Sequence, residues 1–168
     1  MVESQVPMPG ASPVMPLIGR EREATALWWQ YAQAMEGRAQ VALIAGEPGI
    51  GKTRLLDHLA DRATAAGATV VRGGASAATG MPPYLPFLEA IGAYLRRMPL
   101  ETLREQLGRG GAILSSIFPE LPARLGALPA AYALPPEQSR LRLFEAVGDL
   151  LAAIAAAAPL LLILDDLH

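Results

Sequence analysis

The sequence predicts an α/β fold: a parallel sheet flanked by helices, with a helical insertion between its second and third strands. Three observations predict it. Short apolar runs at 41–45, 69–72 and 160–164 have the length and composition of buried strands. Stretches with apolar residues at helical spacing alternate with those runs. Most of the long section between the second and third runs carries helical patterning.

In chain order, residues 1–16 are rich in Pro, Met, Val and Ser. They lack a basic segment followed by an apolar one, so they read as a disordered leader and the domain as residues 17–168. From about Arg22 to Glu36, Ala24, Leu27, Trp28, Tyr31 and Met35 recur at helical spacing, and Gly37 is a stop signal. The first strand, 41–45, runs into a glycine-rich turn at 46–51. A helix over 52–66 then places Leu55, Leu56, Leu59, Ala63 and Ala66 inward and Asp57, Asp61 and Arg62 toward water, with Gly67 ending it. The second strand, 69–72, is followed by a small, polar stretch at 73–83 that reads as a loop. Pro86 suits the first turn of a helix running to about Arg97. A shorter helix covers 100–107, a further turn 113–118, and Pro- and Ala-rich 121–136 reads as an irregular connection. A long helix over 137–157 presents Leu141, Phe144, Val147, Leu151 and Ile154 on one face. No internal repeat is visible.

Composition narrows the functional classes. The 168 residues carry a net charge of −2, which excludes a generally basic nucleic-acid binder. The absence of cysteine excludes disulfides, thiolate zinc sites and a cysteine nucleophile, and it fits a reducing cytosol. The longest apolar run, 150–164, is shorter than the roughly 20 residues a membrane span needs, and Pro159 interrupts it. The basic residues are thirteen arginines and one lysine, Lys52.

That lysine completes Gly46-Glu47-Pro48-Gly49-Ile50-Gly51-Lys52-Thr53, a match to G-x-x-x-x-G-K-[ST]. Glycines let the backbone turn tightly and aim successive N–H groups at phosphate oxygens. The helix that follows adds its positive end. Lys52 is expected to reach the β and γ phosphates of a nucleoside triphosphate, and the Thr53 hydroxyl to ligate Mg²⁺. The apolar strand Leu160-Leu161-Leu162-Ile163-Leu164 ends in Asp165-Asp166. Asp165 is placed to hold the metal and Asp166 to orient or activate the attacking water. Gly19-Arg20-Glu21 is a weak signal alone, with Glu21 favouring the helix dipole. His58 and His168 show no metal-ligand pairing, and Trp28 and Trp29 read as helix packing.

Leu17-Ile18-Gly19-Arg20-Glu21-Arg22-Glu23, the loop GEPGIGKT and Leu164-Asp165-Asp166-Leu167-His168 together resemble the STAND branch of AAA-like P-loop ATPases. Within it they are most similar to the origin-recognition-type ATPase modules of large bacterial LuxR-type transcriptional regulators. The resemblance covers 17–168, and Tyr84-Leu85-Pro86-Phe87-Leu88-Glu89-Ala90 adds to it. It implies a partial P-loop sheet of the ASCE type, a preference for ATP, and a base-side contact for Arg20. It also implies a signalling switch in which ATP favours an open homo-oligomer and hydrolysis resets it. Family members continue with further strands, a lid and output domains, so the chain is expected to be the N-terminal part of such a domain. Any DNA binding would then fall to a later domain. The implied strand order, 5-1-4-3-2, puts a fourth strand between the first and the third, and without it 41–45 and 160–164 are expected to have unsatisfied backbone groups or a non-family pairing. The competing readings are a nucleotide-binding scaffold without turnover and a nonfunctional fragment.

Overall fold

The computed structural model describes residues 17–74, 84–126 and 135–166. The chain divides into two compact units, Met1–Arg62 and Ala63–His168. The expected leader at 1–16, most of the loop at 73–83, part of the connection at 121–136, and Leu167 and His168 lie outside the described residues.

In the first unit, α1 spans Glu21–Met35 with Glu21 and Glu23 in its first turn, where carboxylates complement the helix dipole. Gly37 adopts a positive φ of 84° and its N–H returns to the Ala34 carbonyl at 3.0 Å, closing the helix where glycine carries no Cβ penalty. Helix α2 spans Lys52–Ala65. Leu55, Leu59, Ala60 and Ala63 are its buried positions, while Asp57 and Asp61 are exposed as expected. Ala66, expected inward, is exposed because the helix has already ended one residue earlier. Trp28 stacks on Tyr31 with ring centroids 4.7 Å apart, and the Arg62 guanidinium lies 3.8 Å above the Trp28 ring. This contact ties α1 to α2 and contributes about 0.5–1 kcal/mol at an exposed site. Trp29, expected to pack as well, stays 62% exposed.

The expected first strand at 41–45 is not formed. Val41 and Leu43 are 86% and 89% exposed, and the segment joins no ladder among the described residues. An extended segment is a strand only when a neighbour takes its backbone N–H and C=O groups. The two strands that do form pair with each other instead.

In the second unit, β1 (Thr69–Gly74) and β2 (Leu160–Asp165) pair in parallel, from Thr69 opposite Leu160 to Gly74 opposite Asp165. This is the neighbour relation implied for the second and third strands. Helix α3, Leu85–Arg97, packs on β1 with unusual closeness. A Cβ on Gly73 would meet the Pro86 carbonyl oxygen at 1.8 Å and the Ala90 Cβ at 2.9 Å. Only a residue without a side chain lets the strand lie there. Helix α4 (Leu100–Leu107), a 3-10 turn (Gly108–Gly110), α5 (Gly111–Leu114) and α6 (Glu120–Leu125) complete the insertion.

Helix α6 falls in a stretch expected to be irregular. Its Pro122 occupies the first turn, where a proline's missing N–H had no intrahelical acceptor to lose, and Leu121 is fully buried. Arg124 at the end of α6 donates to the Leu95 carbonyl and, at 2.6 Å, to the Met98 carbonyl. It thereby satisfies carbonyls left open at the C-terminal end of α3. Arg96 reaches Glu120 at 3.3 Å. The Tyr94 hydroxyl donates to Gln106 at 2.7 Å; burial is the main force pushing its pKa above the ordinary value.

Helix α7 spans Pro136–Ala157 and buries Ala146, Leu150 and Ile154. Of the face expected from spacing, only Ile154 is buried; Leu141 and Phe144 are 59% and 46% exposed. Ala146 faces the insertion, where Gly110 approaches it, and shares the core with Leu150 and Ile154, so the buried face is rotated away from Leu141 and Phe144. The Phe144 ring meets Tyr84 edge-on at 5.7 Å. Among the described residues, no helix is long and apolar enough to cross a membrane.

Candidate functional site

The loop between residue 45 and α2 is built by its glycines. Gly49 and Gly51 adopt positive φ values of 79° and 94°, a region that side chains disfavour. The Ile50 N–H closes a turn on the Glu47 carbonyl at 3.3 Å, and the Leu55 N–H returns to the Gly51 carbonyl at 3.1 Å as α2 begins. Pro48 lies inside the first of these turns and has no N–H of its own to satisfy. A Cβ on Gly46 would come within 3.1 Å of the Ile50 side chain, so the loop is also tight across its mouth.

Lys52 folds back across this loop. Its ammonium donates to the Gly46 carbonyl at 2.9 Å and to the Glu47 carbonyl at 3.2 Å. The loop therefore joins one cation on a flexible stem, the freed amides of a helix start and glycine-permitted backbone turns. That combination holds phosphate oxygens. Thr53 is exposed in the first turn of α2. Among the described residues, no group of three or more acidic or imidazole side chains is gathered as a metal site. A magnesium ion here would need phosphate oxygens among its ligands, as a Mg²⁺–nucleotide complex supplies. The residues of the loop fit such a ligand.

The family comparison bears on how this loop is read. The chain matches the AAA ATPase domain over residues 16–168. It belongs to that family. No curated protein and no solved structure matches the chain.

Within this AAA ATPase domain the Gly19-Arg20-Glu21 element has a defined geometry. Gly19 has a φ of 75°, and its N–H donates to the Glu21 carboxylate at 3.0 Å. Arg20 Nη1 pairs with Glu23 at 3.0 Å, and Nη2 donates to the Ile50 carbonyl at 3.0 Å. The Glu23 carboxyl is held below its ordinary pKa of 4.5, first by a backbone hydrogen bond and next by the Arg20 guanidinium. Glu23 was legible only as a charge three residues beyond Arg20, the spacing at which helix side chains meet. The contact to Ile50, thirty residues away, had no local signal at all.

The paired acids lie in the second unit. Asp165 ends β2, half-buried, and Asp166 follows with a positive φ of 53°. The Asp166 N–H donates to Asp165 Oδ1 at 3.0 Å, which fixes one oxygen of that carboxylate.

Proposed function

We propose that this AAA ATPase domain binds ATP with Mg²⁺ on residues 46–53 and hydrolyses it, as the nucleotide switch of a signalling or transcription-regulating protein in the cytosol. The observation that carries the reading is the loop itself: Gly49 and Gly51 at positive φ and the Lys52 ammonium folded over the carbonyls of Gly46 and Glu47.

Each residue has a role in this proposal. The backbone of Gly46, Glu47, Pro48, Gly49, Ile50 and Gly51 forms the phosphate cradle. Lys52 exchanges its two carbonyl partners for β and γ phosphate oxygens, and Thr53 supplies a hydroxyl to Mg²⁺. Asp165 serves as the acidic partner of the metal. Asp166 orients the attacking water and accepts its proton. The family resemblance alone would put Arg20 on the base side; its hydrogen bond to the Ile50 carbonyl supports a different role. The resemblance to modules of LuxR-type regulators supports the regulatory role and the nucleotide-dependent oligomer.

The test is a titration of the chain with Mg·ATP alongside measurement of phosphate release. Lys52→Ala should weaken binding at least about tenfold, the scale of losing charge-assisted hydrogen bonds. Asp166→Asn should keep the affinity and slow phosphate release. Equal affinity in Lys52→Ala would sink the binding reading; undiminished release in Asp166→Asn would remove that residue from the chemistry. Binding without any release in the unaltered chain would leave a scaffold.

A further inference from the structure

We infer that Arg20, braced by Glu23, is a positioning residue that sets the direction of a phosphate-binding amide in the loop. The inference rests on the phosphate-loop reading above and deepens it.

A trans peptide points its C=O and its N–H to opposite sides. The carbonyl of Ile50 and the N–H of Gly51 belong to one such peptide. Arg20 Nη2 holds that carbonyl at 3.0 Å, so the Gly51 N–H is turned away from Arg20. Gly51 stands immediately before Lys52 at a φ of 94°, and because it lacks a Cβ its backbone has wide freedom to rotate unless something pins it. Arg20 is that pin, and it does not stand alone. Its Nη1 is anchored on Glu23 at 3.0 Å, so the guanidinium plane has two fixed points, one on α1 and one on the loop. A planar fork can serve both at once, whereas a lysine ammonium on a flexible stem has no such fixed pair of directions. Arg20 keeps about a third of its side chain exposed, so the brace sits at the surface, where the loop could otherwise fluctuate.

This role separates cleanly from a contact to the base. A base contact matters only for ligands that have a base. A pinned peptide matters for any polyphosphate. Glu23 sharpens the distinction through its sign. By Coulomb's law alone, removing a carboxylate near an anion site should tighten binding. If Glu23 acts by holding Arg20, removing it should weaken binding.

The experiment measures the affinity of the full chain for Mg·ATP and for Mg·tripolyphosphate, which lacks the nucleoside. The variants are Arg20→Ala, Arg20→Lys, Glu23→Ala and, as the reference for the site, Lys52→Ala. Ligand-free melting curves accompany each. Arg20→Ala should weaken both ligands by the same factor, about tenfold, with Arg20→Lys recovering only part. Glu23→Ala should weaken both by a smaller equal factor, with the ligand-free melting temperature lowered only slightly and still well above the temperature of the binding measurement. Loss for ATP alone would assign Arg20 to the base and overturn the inference. So would unchanged affinity in Arg20→Ala and Arg20→Lys, or tighter binding in Glu23→Ala. If the unaltered chain and Lys52→Ala bind tripolyphosphate alike, the phosphate-loop reading itself fails and carries the inference with it.

Discussion

At the scale of single residues, the loop at 46–51 shows how a few backbone angles and one cation make a site. Positive φ at Gly49 and Gly51 lets the chain reverse without steric cost, and the helix start behind it leaves amides without intrahelical acceptors. The ammonium of Lys52 then rests on carbonyls it can release without first leaving the loop. Arg20 and Glu23 work at one remove from this cradle. Because a backbone hydrogen bond and then Arg20 lower the Glu23 pKa in the folded chain, its carboxylate stabilises the native state at pH above the ordinary 4.5. That contribution is lost as pH falls through the lowered folded value. A carboxyl-carbon NMR titration should therefore place the Glu23 midpoint below 4.5, and Arg20→Ala should raise it partway. The rise should be incomplete because the backbone hydrogen bond, the larger cause, remains. A midpoint unmoved by Arg20→Ala would show that the ion pair does not persist in solution.

Among the elements, the closest fit is between β1 and the first turn of α3. Strand and helix touch through Gly73, where an added methyl would strike the Pro86 carbonyl oxygen, a backbone atom that cannot swing aside. Gly73→Ala should cost about 3 kcal/mol or more in urea denaturation, the scale of severe overpacking. Gly148 provides the contrast. It lies in α7, where an added methyl would meet nothing within 4 Å, so Gly148→Ala should stabilise by about 0.5–1 kcal/mol. A similar response at both sites would mean that α3 does not rest on the strand as described. The same close-packing logic governs α7, whose Ala146 lies against Gly110 while Leu141 and Phe144 turn outward.

For the whole molecule, the sheet among the described residues consists of one parallel pair, and the segment leading into the phosphate loop is outside it. The amides of β1 and β2 are bonded along a continuous register, whereas 41–45 has no ladder partner among the described residues. Hydrogen exchange should show this directly: slow exchange for central amides of β1 and β2, and near-unprotected rates for 41–45. Protection of 41–45 at the level of β2 would mean that another strand covers it in solution. Mg·ATP should raise the melting temperature of the chain, since a ligand that binds only the folded state stabilises it.

The sequence by itself determined what depends on neighbours in the chain. The motif from Gly46 to Thr53, the acids closing the last strand, and the starts and stops of α2, α3 and α4 are local matters of glycine freedom, helix spacing and strand length. They needed no partner to be read. Tertiary structure decided everything that depends on what lies opposite. It left 41–45 without a ladder, because a strand exists only with its neighbour. It turned α7 so that Ala146, Leu150 and Ile154 enter the core while Leu141 and Phe144 stay exposed. It found a helix at 120–125, at the start of a Pro- and Ala-rich stretch that suggested none, because Leu121 had a core to enter. It also brought Arg20 to the carbonyl of Ile50, thirty residues along the chain, because contact between distant residues is a property of packing and leaves no mark in spacing.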